Sequence, residues 1–229
     1  ADELGVEALD MTTLAAVPVT DPDPGIVDVE PDDRAFYMAT SGVSGAPKVA
    51  ILSHYNLRWV QEAMGQGLDP MQPDDVTLGC LSFAHIFGLN VVLLYGLRVG
   101  SCIVLQRRFD ADESLRLIRE HGVTVLAGAP PMWQRWAKAD APDDSLSTIR
   151  FAASGAAALP LGVFETIRDR YGVEVAQGYG LTETSPVVTM GRGYAVRPSS
   201  VGKVLDGVTV ALVDDNGMPV DIGDEVGIA

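Results

Sequence analysis

Strand-like and helix-like segments alternate along most of this chain, and this alternation constrains its fold more than any other feature. Short runs of β-branched and apolar residues predict strands at 34–39, 76–81, 101–105, 123–127, 149–153 and 173–176. Helical spacing predicts helices at 53–66, 86–98, 112–121, from 130 onward and at 160–171. Strands that alternate with helices form βαβ units, so we expect an α/β fold with mostly parallel sheets and flanking helices. Ligand sites in such folds lie at the carboxyl ends of the strands.

The two ends of the chain depart from this pattern. Residues 1–30 have few periodic apolar positions and contain a turn-forming Asp-Pro-Asp-Pro-Gly sequence, which predicts an acidic, linker-like lead-in. Residues 31–205 form the predicted α/β core, and residues 206–229 form a β-rich tail with a hairpin turn at Asn216-Gly217. The chain begins without Met and stops inside a strand-like run, so we expect a fragment truncated within a β-rich subdomain.

The composition argues against several classes of protein. The 229 residues are 47% apolar, which provides a sizeable core and argues against global disorder. The net charge of −15 opposes binding to the phosphates of a nucleic acid. The apolar run at 86–98 is shorter than the roughly 18 residues of a membrane-spanning helix, so no integral membrane segment is predicted. Cys80 and Cys102 lie in apolar runs without metal-ligand spacing, which predicts buried free thiols and a cytoplasmic location, with peripheral contact to membranes left open.

The segment at 40–48 reads Thr-Ser-Gly-Val-Ser-Gly-Ala-Pro-Lys and follows the first predicted strand. Its glycines allow backbone N–H groups to approach a ligand, its hydroxyls donate hydrogen bonds, and Lys48 adds a positive charge. This combination suits a triphosphate. The segment is not a Walker P-loop, because Pro47 occupies the place of the second Gly and Val49 the place of the Mg²⁺-binding hydroxyl. A Gly- and Ser-rich surface hairpin remains as an alternative.

A second segment follows the last predicted strand and reads Gln-Gly-Tyr-Gly-Leu-Thr-Glu at 177–183. Two glycines flank Tyr179, whose ring is suited to stack on a purine. Glu183 provides a hard oxygen ligand for the Mg²⁺ that accompanies ATP. The alternative is a Gly-rich loop in which this Glu is incidental.

Two further segments contain candidate residues. His85 lies between aromatic residues at 83 and 87, although a lone His is more often structural. The small residues Ser154, Gly155 and Ala156 follow another predicted strand, where larger side chains would block a ligand. Tight packing of strand against helix also explains these small residues, and the two explanations are compatible.

The patterns T-S-G-x-S-G-x-P-K and Y-G-x-T-E, in this order, resemble the adenylate-forming (AMP-binding) superfamily. Acyl-CoA synthetases, luciferases and the adenylation domains of peptide synthetases belong to it. The resemblance runs from about residue 34 to 229 and implies part of the large N-terminal domain of such an enzyme. Val43 and Val49 stand where the family usually has a hydroxyl residue and a Gly. The resemblance also implies a mobile C-terminal domain as a partner, with a catalytic Lys that this sequence does not contain.

The resemblance implies a role for each candidate residue. The implied nucleotide-binding residues are Thr40, Ser41, Gly42, Ser44, Gly45, Lys48, Ser154, Gly155, Ala156, Gln177, Gly178, Tyr179, Gly180 and Thr182. The implied catalytic residues are Lys48, His85, Thr182 and Glu183. Of these, Glu183 would bind Mg²⁺, and His85 would orient the carboxylate of the acid.

The implied reaction has two steps. A carboxylate attacks the α-phosphate of ATP to give an acyl-adenylate and pyrophosphate, and the thiol of CoA then displaces AMP. The apolar segment around His85 offers no acidic residue for the ammonium group of an amino acid, which favours a fatty acid as substrate. A peptide-synthetase adenylation domain and a degenerate nucleotide-binding module without activity remain as alternatives. We expect this fragment alone, without the C-terminal domain, to be inactive.

Overall fold

The structure is a computed structural model that describes residues 27–40, 48–214 and 218–220. The chain divides into two compact units, Ala1–Glu30 and Pro31–Ala229. The described residues of the first unit have no regular secondary structure. All the elements below belong to the second unit, and the predicted limits of the core and of the β-rich tail stay predictions.

The elements of the second unit follow the predicted order. The strands are β1 (Arg34–Thr40), β2 (Lys48–Ser53), β3 (Val76–Gly79), β4 (Cys102–Leu105), β5 (Val125–Gly128), β6 (Phe151–Ser154), β7 (Val175–Gly180), β8 (Val187–Met190) and β9 (Lys203–Val204). The α-helices are α1 (His54–Gly65), α2 (Tyr95–Val99), α3 (Ala111–His121), α4 (Pro130–Lys138) and α5 (Leu161–Tyr171). The predicted helix at 86–98 consists of a π-helix at Phe87–Leu94 followed directly by α2, and a 3₁₀ turn occupies Thr182–Thr184.

Within the described residues, seven strands form one sheet in the order β4-β3-β5-β6-β7-β8-β9. The first five strands of this order are mutually parallel, whereas the β7–β8 and β8–β9 pairs are antiparallel. The prediction of an α/β fold with mostly parallel strands and flanking helices is confirmed.

Helices cover both faces of this sheet. Because alternate strand residues point to opposite faces, Leu126 packs with α3, α4 and α5, whereas its neighbour Val125 packs with α1 and α2. The helices that follow β3 and β4 therefore lie on opposite faces. In open α/β sheets such a change of face marks the crevice where ligands bind. Here the crevice lies at the carboxyl ends of β3 and β5, which are neighbours in the sheet.

Strands β1 and β2 form a separate antiparallel hairpin, in which Thr40 pairs with Lys48. The expectation that the Gly-rich segment follows a strand of the parallel sheet is therefore wrong. Strand β1 ends at Thr40 and β2 begins at Lys48 antiparallel to it, so the segment joins two antiparallel strands. Ser41, Gly42, Ser44 and Gly45 lie outside the described residues. The buried side of the hairpin packs Met38 and Leu52 against α1 and the π-helix.

Strand β7 extends four residues beyond its predicted end at 176, so Gln177 to Gly180 belong to a strand and not to a loop. The added pairing comes from β8, which the sequence pattern did not predict. The missing side chain of Gly178 permits this pairing, since a Cβ there would lie 3.1 Å from the Thr189 carbonyl oxygen.

Predicted helix ends are confirmed by their capping contacts. Ser53 Oγ accepts from the Asn56 N–H (3.2 Å), and the Ser53 N–H donates to Asn56 Oδ1 (3.0 Å), which is a reciprocal N-terminal cap of α1. Gly122 and Gly172 end α3 and α5 with φ of 62° and 69°, a conformation that favours glycine.

One cysteine differs from its prediction. Cys80 is buried, as expected, but Cys102 is exposed because β4 is the edge strand of the sheet. Both thiols are free.

The described part of the tail contains one antiparallel bridge, between Val213 and Pro219. The Asp214 N–H donates to the Met218 carbonyl oxygen (2.8 Å), as in a hairpin. The predicted Asn216-Gly217 turn and the final strand lie outside the described residues. Among the helices described, none combines the length and apolar character needed to cross a bilayer.

Candidate functional site

The carboxyl ends of the five parallel strands lie along one edge of the sheet, and most predicted site residues follow them. His85 lies in the loop after β3, Ser154 is the last residue of β6, and Thr182 and Glu183 follow β7. This edge therefore brings together three of the four candidate segments.

The 3₁₀ turn after β7 is held by its own hydrogen bonds. The Leu181 N–H donates to the Pro186 carbonyl oxygen (3.0 Å) and lies 3.0 Å from Thr184 Oγ1, which also donates to the Pro186 carbonyl oxygen. The turn leaves Glu183 exposed, and its carboxylate has no ion pair among the described residues. Its position is thus defined by backbone contacts while its carboxylate stays available.

Tyr179 and Glu183 have the exposure that their predicted roles require. The Tyr179 side chain is 46% exposed at the end of β7, so its ring is accessible for stacking. In the described part of the chain, no three His, Cys, Asp or Glu side chains cluster as a metal site. Mg²⁺ is often bound by one carboxylate together with substrate phosphates, and the exposed Glu183 carboxylate fits that kind of site.

The hairpin reaches this edge from outside the sheet. Strand β2 lies against the turn at Thr182–Thr184, which brings the strand that begins at Lys48 next to Glu183. Lys48 is exposed and has no ion pair within the described residues, and Thr40 Oγ1 donates to its carbonyl oxygen (3.4 Å) at the base of the Gly-rich segment. Strand β2 and the turn that holds Glu183 are therefore neighbours.

The loop after β6 packs closely against the His85 segment. A Cβ added to Gly155 would lie 3.2 Å from the Phe87 ring, and Ala156 has a φ of 72°. Ser154 is 1% exposed, and its Oγ has no hydrogen-bond partner. These small residues keep the loop close to the π-helix. This is compatible with both explanations of them, clearance for a ligand and tight packing within the protein.

Gln177 uses its side-chain amide within the protein. Its Oε1 accepts from the Leu159 N–H (2.7 Å), and its Nε2 donates to the Pro198 carbonyl oxygen. The side chain is 8% exposed, so it joins the loop after β6 to the segment after β8. This geometry favours a supporting role for Gln177 over direct contact with a nucleotide.

His85 is exposed, and its imidazole makes no hydrogen bond within the described residues. Its backbone N–H donates to the Ser82 carbonyl oxygen (3.1 Å), and its carbonyl oxygen accepts from the Leu89 N–H (2.9 Å). Gly88 permits this compact turn, because a Cβ there would overlap the Ser82 carbonyl group. The backbone around His85 is thus fixed while the imidazole is accessible.

A cavity of about 570 Å³ lies between the loops that follow β3 and β4, beside the His85 segment. The apolar residues that line it are Leu81, Phe83, Leu105, Phe109 and Met132. Arg107 and Arg108 also line it, and within the described residues neither has an ion pair or a hydrogen bond. Sequence reasoning did not single out these two arginines, although adjacent arginines after a strand are unusual in so acidic a chain.

The strongest charge cluster lies at the opposite, amino-terminal edge of the sheet. Asp75 accepts from Arg150 Nε (2.6 Å), Thr124 Oγ1 (2.7 Å) and the Gln72 N–H (2.8 Å). Burial acts to raise the pKa of Asp75, but these donors outweigh it and hold the pKa at about 2. Asp75, Thr124 and Arg150 immediately precede β3, β5 and β6. The cluster therefore connects the first residues of these three strands, at the edge opposite the candidate site.

Comparison with known proteins gives one consistent result. The family model described as AMP-binding enzyme matches residues 2–228. The 4-coumarate–CoA ligase 2 of Nicotiana tabacum is 35% identical over 198 residues, which are 82% of this chain and 36% of that enzyme. The 4-coumarate–CoA ligase 3 of Arabidopsis thaliana is 36% identical over 195 residues, 83% of this chain and 35% of that enzyme.

Solved structures show the same likeness. The crystal structure of ATP-bound MatB from Rhodopseudomonas palustris superposes with a TM-score of 0.79 at 30% identity, covering 86% of this chain and 39% of that one. A benzoate CoA ligase from Burkholderia xenovorans gives a TM-score of 0.77 at 26% identity, covering 89% of this chain and 41% of that one. This chain therefore spans little more than a third of the length of the proteins it resembles.

Proposed function

This chain belongs to the AMP-binding enzyme family, and on that premise we propose that it contains the nucleotide-binding part of an AMP-forming acyl-CoA ligase. The proposed reaction joins a carboxylic acid to ATP as an acyl-adenylate and then transfers the acyl group to the thiol of CoA.

The contact between β2 and the turn at Thr182–Thr184 is the observation that supports this proposal most strongly. It places the strand of Lys48 next to the turn of Glu183, and both side chains are exposed and unpaired within the described residues. Contact between the strand that Lys48 begins and the turn that holds Glu183 suits a site that binds a nucleotide phosphate together with its Mg²⁺.

In the first proposed step, the chain acts by holding the phosphates of ATP. Lys48 and the N–H and hydroxyl groups of the Gly-rich segment bind the β- and γ-phosphates, Thr182 contacts a phosphate oxygen, and Glu183 holds Mg²⁺. When bound, Mg²⁺ neutralises phosphate charge. A carboxylate oxygen of the acid, oriented by His85, forms a bond to the α-phosphorus while the bond to pyrophosphate breaks. Catalysis then rests on positioning and charge stabilisation.

In the second proposed step, the thiolate of CoA attacks the acyl carbon and AMP leaves with the electron pair of the broken C–O bond. We assign the cavity beside the His85 segment to this thiol. Its apolar lining suits a long flexible arm, and Arg107 and Arg108, which also line it and have no ion pair within the described residues, suit the phosphates of CoA.

The class of acid is the least constrained part of the proposal. The apolar surroundings of His85 favour a fatty acid, whereas the relatives reported above are named for 4-coumarate and benzoate. A panel of acyl-adenylate analogues made from a medium-chain fatty acid, 4-coumarate, benzoate and malonate distinguishes these classes, because the analogue of the preferred acid should raise the melting temperature of the protein most.

Two alternatives remain in the proposal. A peptide-synthetase adenylation domain would need an acidic side chain near His85, and the loop from 80 to 86 contains none. A nucleotide binder without activity is favoured by Val43 and Val49, which remove a hydroxyl and add bulk beside the phosphate segment.

The test is binding to the 229-residue chain. We expect ATP·Mg²⁺ and a non-hydrolysable acyl-adenylate analogue to raise the melting temperature, and calorimetry to give a dissociation constant for each. Lys48→Ala and Glu183→Gln are each expected to weaken ATP·Mg²⁺ binding at least about 10-fold, since each removes a charged contact of about 1.5–3 kcal/mol.

Lys138→Ala and Glu165→Gln are matched controls, because they change exposed residues on α4 and α5 that have no ion pair in the described part of the chain, and they should leave binding unchanged. The proposal fails if neither ligand binds, or if the control variants weaken binding as much as the site variants. Acid-dependent pyrophosphate release at a normal rate would instead contradict the expectation that this chain alone is inactive.

A further inference from the structure

Asn90 makes the most extensive buried side-chain contacts near the candidate site, and sequence analysis did not single it out. It lies in the π-helix and is completely buried. Its Nδ2 donates to the Leu57 carbonyl oxygen (3.2 Å) and to the Ser185 carbonyl oxygen (2.5 Å). Its Oδ1 accepts from Gln61 Nε2 (2.7 Å). One amide thus joins three segments that are far apart in the sequence.

Two of these segments are the ones that hold the predicted phosphate-binding residues. Leu57 and Gln61 lie on α1, and α1 follows β2 without a linker, since Ser53 is both the last residue of β2 and the N-cap of α1. Ser185 directly follows the turn at Thr182–Thr184 and is 2% exposed with a φ of 69°. Asn90 therefore joins α1, the helix that continues from the strand of Lys48, to the residue that follows the turn of Glu183.

We propose that Asn90 is a positioning residue that sets the distance between these two halves of the nucleotide site. It is buried beneath the site and contacts no ligand itself. Its amide has two N–H donors, and both point at backbone carbonyl oxygens that belong to different halves. Gln61 orients the amide by donating to its oxygen, which fixes which side of Asn90 carries the donors.

The π-helix explains how Asn90 reaches both partners. The wider π-helical turn is closed by the Tyr95 N–H, which donates to the Asn90 carbonyl oxygen, and the π-helix contacts both α1 and β3. Such turns often occur at functional sites because they redirect a side chain that a regular α-helix would aim elsewhere. A purely apolar residue of the same shape would fill the space but would leave the Ser185 carbonyl without this donor.

This inference rests on the proposed function, and the test separates the two. We would measure ATP·Mg²⁺ affinity by calorimetry for the wild type, Asn90→Leu and Ser145→Ala, at a temperature where all are folded. Asn90→Leu removes both contacts to the two halves and should weaken binding about 10-fold or more. Ser145→Ala removes a buried hydrogen bond outside this cluster, from Ser145 Oγ to the Pro142 carbonyl oxygen (2.6 Å), so binding should change less than about 3-fold.

A double-mutant cycle with Glu183→Gln distinguishes positioning from general destabilisation. If Asn90 positions the turn, Glu183→Gln should have little further effect in the Asn90→Leu background, because the carboxylate is already displaced. If the two changes instead weaken ATP·Mg²⁺ binding independently, so that their factors in the dissociation constant multiply, the inference is overturned. If Asn90→Leu does not fold, Asn90→Ala replaces it in the same cycle.

Backbone hydrogen exchange gives a readout that needs no ligand. Asn90→Leu should increase exchange at residues 181–185 relative to Ser145→Ala, and equal exchange in the two variants would overturn the inference. If the wild type does not bind ATP, the proposed function is refuted. If Asn90→Leu binds ATP as tightly as the wild type does, only the positioning role is refuted.

Discussion

Gly180 lies directly against the backbone carbonyl of Pro186, where the chain leaves β7 and returns toward β8. A Cβ added to Gly180 would overlap the carbonyl oxygen and carbon of Pro186. The same carbonyl oxygen accepts from the Leu181 N–H and anchors the turn that presents Glu183. The Gly of the Y-G-x-T-E pattern is therefore required by a backbone contact within the protein, whatever ligand binds there.

Gly180→Ala is expected to destabilise the fold by about 1–3 kcal/mol, because a new methyl group must displace backbone and not a flexible side chain. It should also weaken ATP·Mg²⁺ binding, since the turn that follows would shift. Denaturant unfolding and calorimetry measure the two effects.

Gly162→Ala is the matched control for this prediction. Gly162 lies on the exposed surface of α5, and a Cβ there would meet open space. The change should be neutral or stabilise the protein by up to about 1 kcal/mol through helix propensity. Equal unfolding free energies for the two variants would contradict the close packing at Gly180.

His85→Ala is expected to weaken binding of an acyl-adenylate analogue about 5- to 30-fold while leaving ATP affinity nearly unchanged. The loss of one hydrogen bond to the acyl carbonyl oxygen of the analogue, about 1–2 kcal/mol, gives this magnitude. Because His85 is exposed and its backbone contacts do not need the imidazole, unfolding free energy should change by less than about 0.5 kcal/mol. His121→Ala, an exposed change at the end of α3, serves as control, and an equal effect on ATP and on the analogue would argue against a role in orienting the acid.

The Asp75 cluster predicts a pH dependence of stability. The pKa of Asp75 is about 2 in the folded protein against the ordinary value of 3.8, so below pH 4 the unfolded chain binds more protons than the folded one. The stabilisation is complete above about pH 5 and is lost as the pH falls to 2 and below, a change of about 2 kcal/mol.

Asp75→Asn should remove this contribution, so its unfolding free energy should fall less steeply than that of the wild type between pH 6 and pH 2. Asp144→Asn, at an exposed carboxylate without an ion pair among the described residues, should follow the wild-type curve. Parallel curves for the wild type and Asp75→Asn would show that the Arg150 contact does not hold Asp75 ionised.

The two thiols should differ in reactivity. Burial raises the pKa of the Cys80 thiol to about 12, whereas Cys102 is exposed on the edge strand. A disulfide reagent at pH 8 should modify one thiol in the native protein and two after unfolding in guanidinium chloride. Cys102→Ser should leave no thiol that reacts quickly in the native state, and rapid reaction of Cys80 in that variant would contradict its burial.

Local sequence determined a large part of this protein. The alternation of strands and helices predicted a mostly parallel α/β sheet, and Ser53, Gly122 and Gly172 predicted helix ends, because caps and periodic apolar positions act over a few residues. The two nucleotide motifs were recognisable for the same reason, since each is a short contiguous pattern. The roles of the site residues in this protein nevertheless stay predictions, which binding experiments can test.

Tertiary structure alone decided how these local pieces meet. Pairing with β8 converted Gln177 to Gly180 from a predicted loop into a strand, and the return along β1 placed the Gly-rich segment in a hairpin outside the main sheet. The edge position of β4 exposed Cys102, and contacts across 33 and 95 residues made Asn90 a junction. Each of these outcomes depends on partners distant in the sequence, whose hydrogen bonds and packing form only when the whole chain folds.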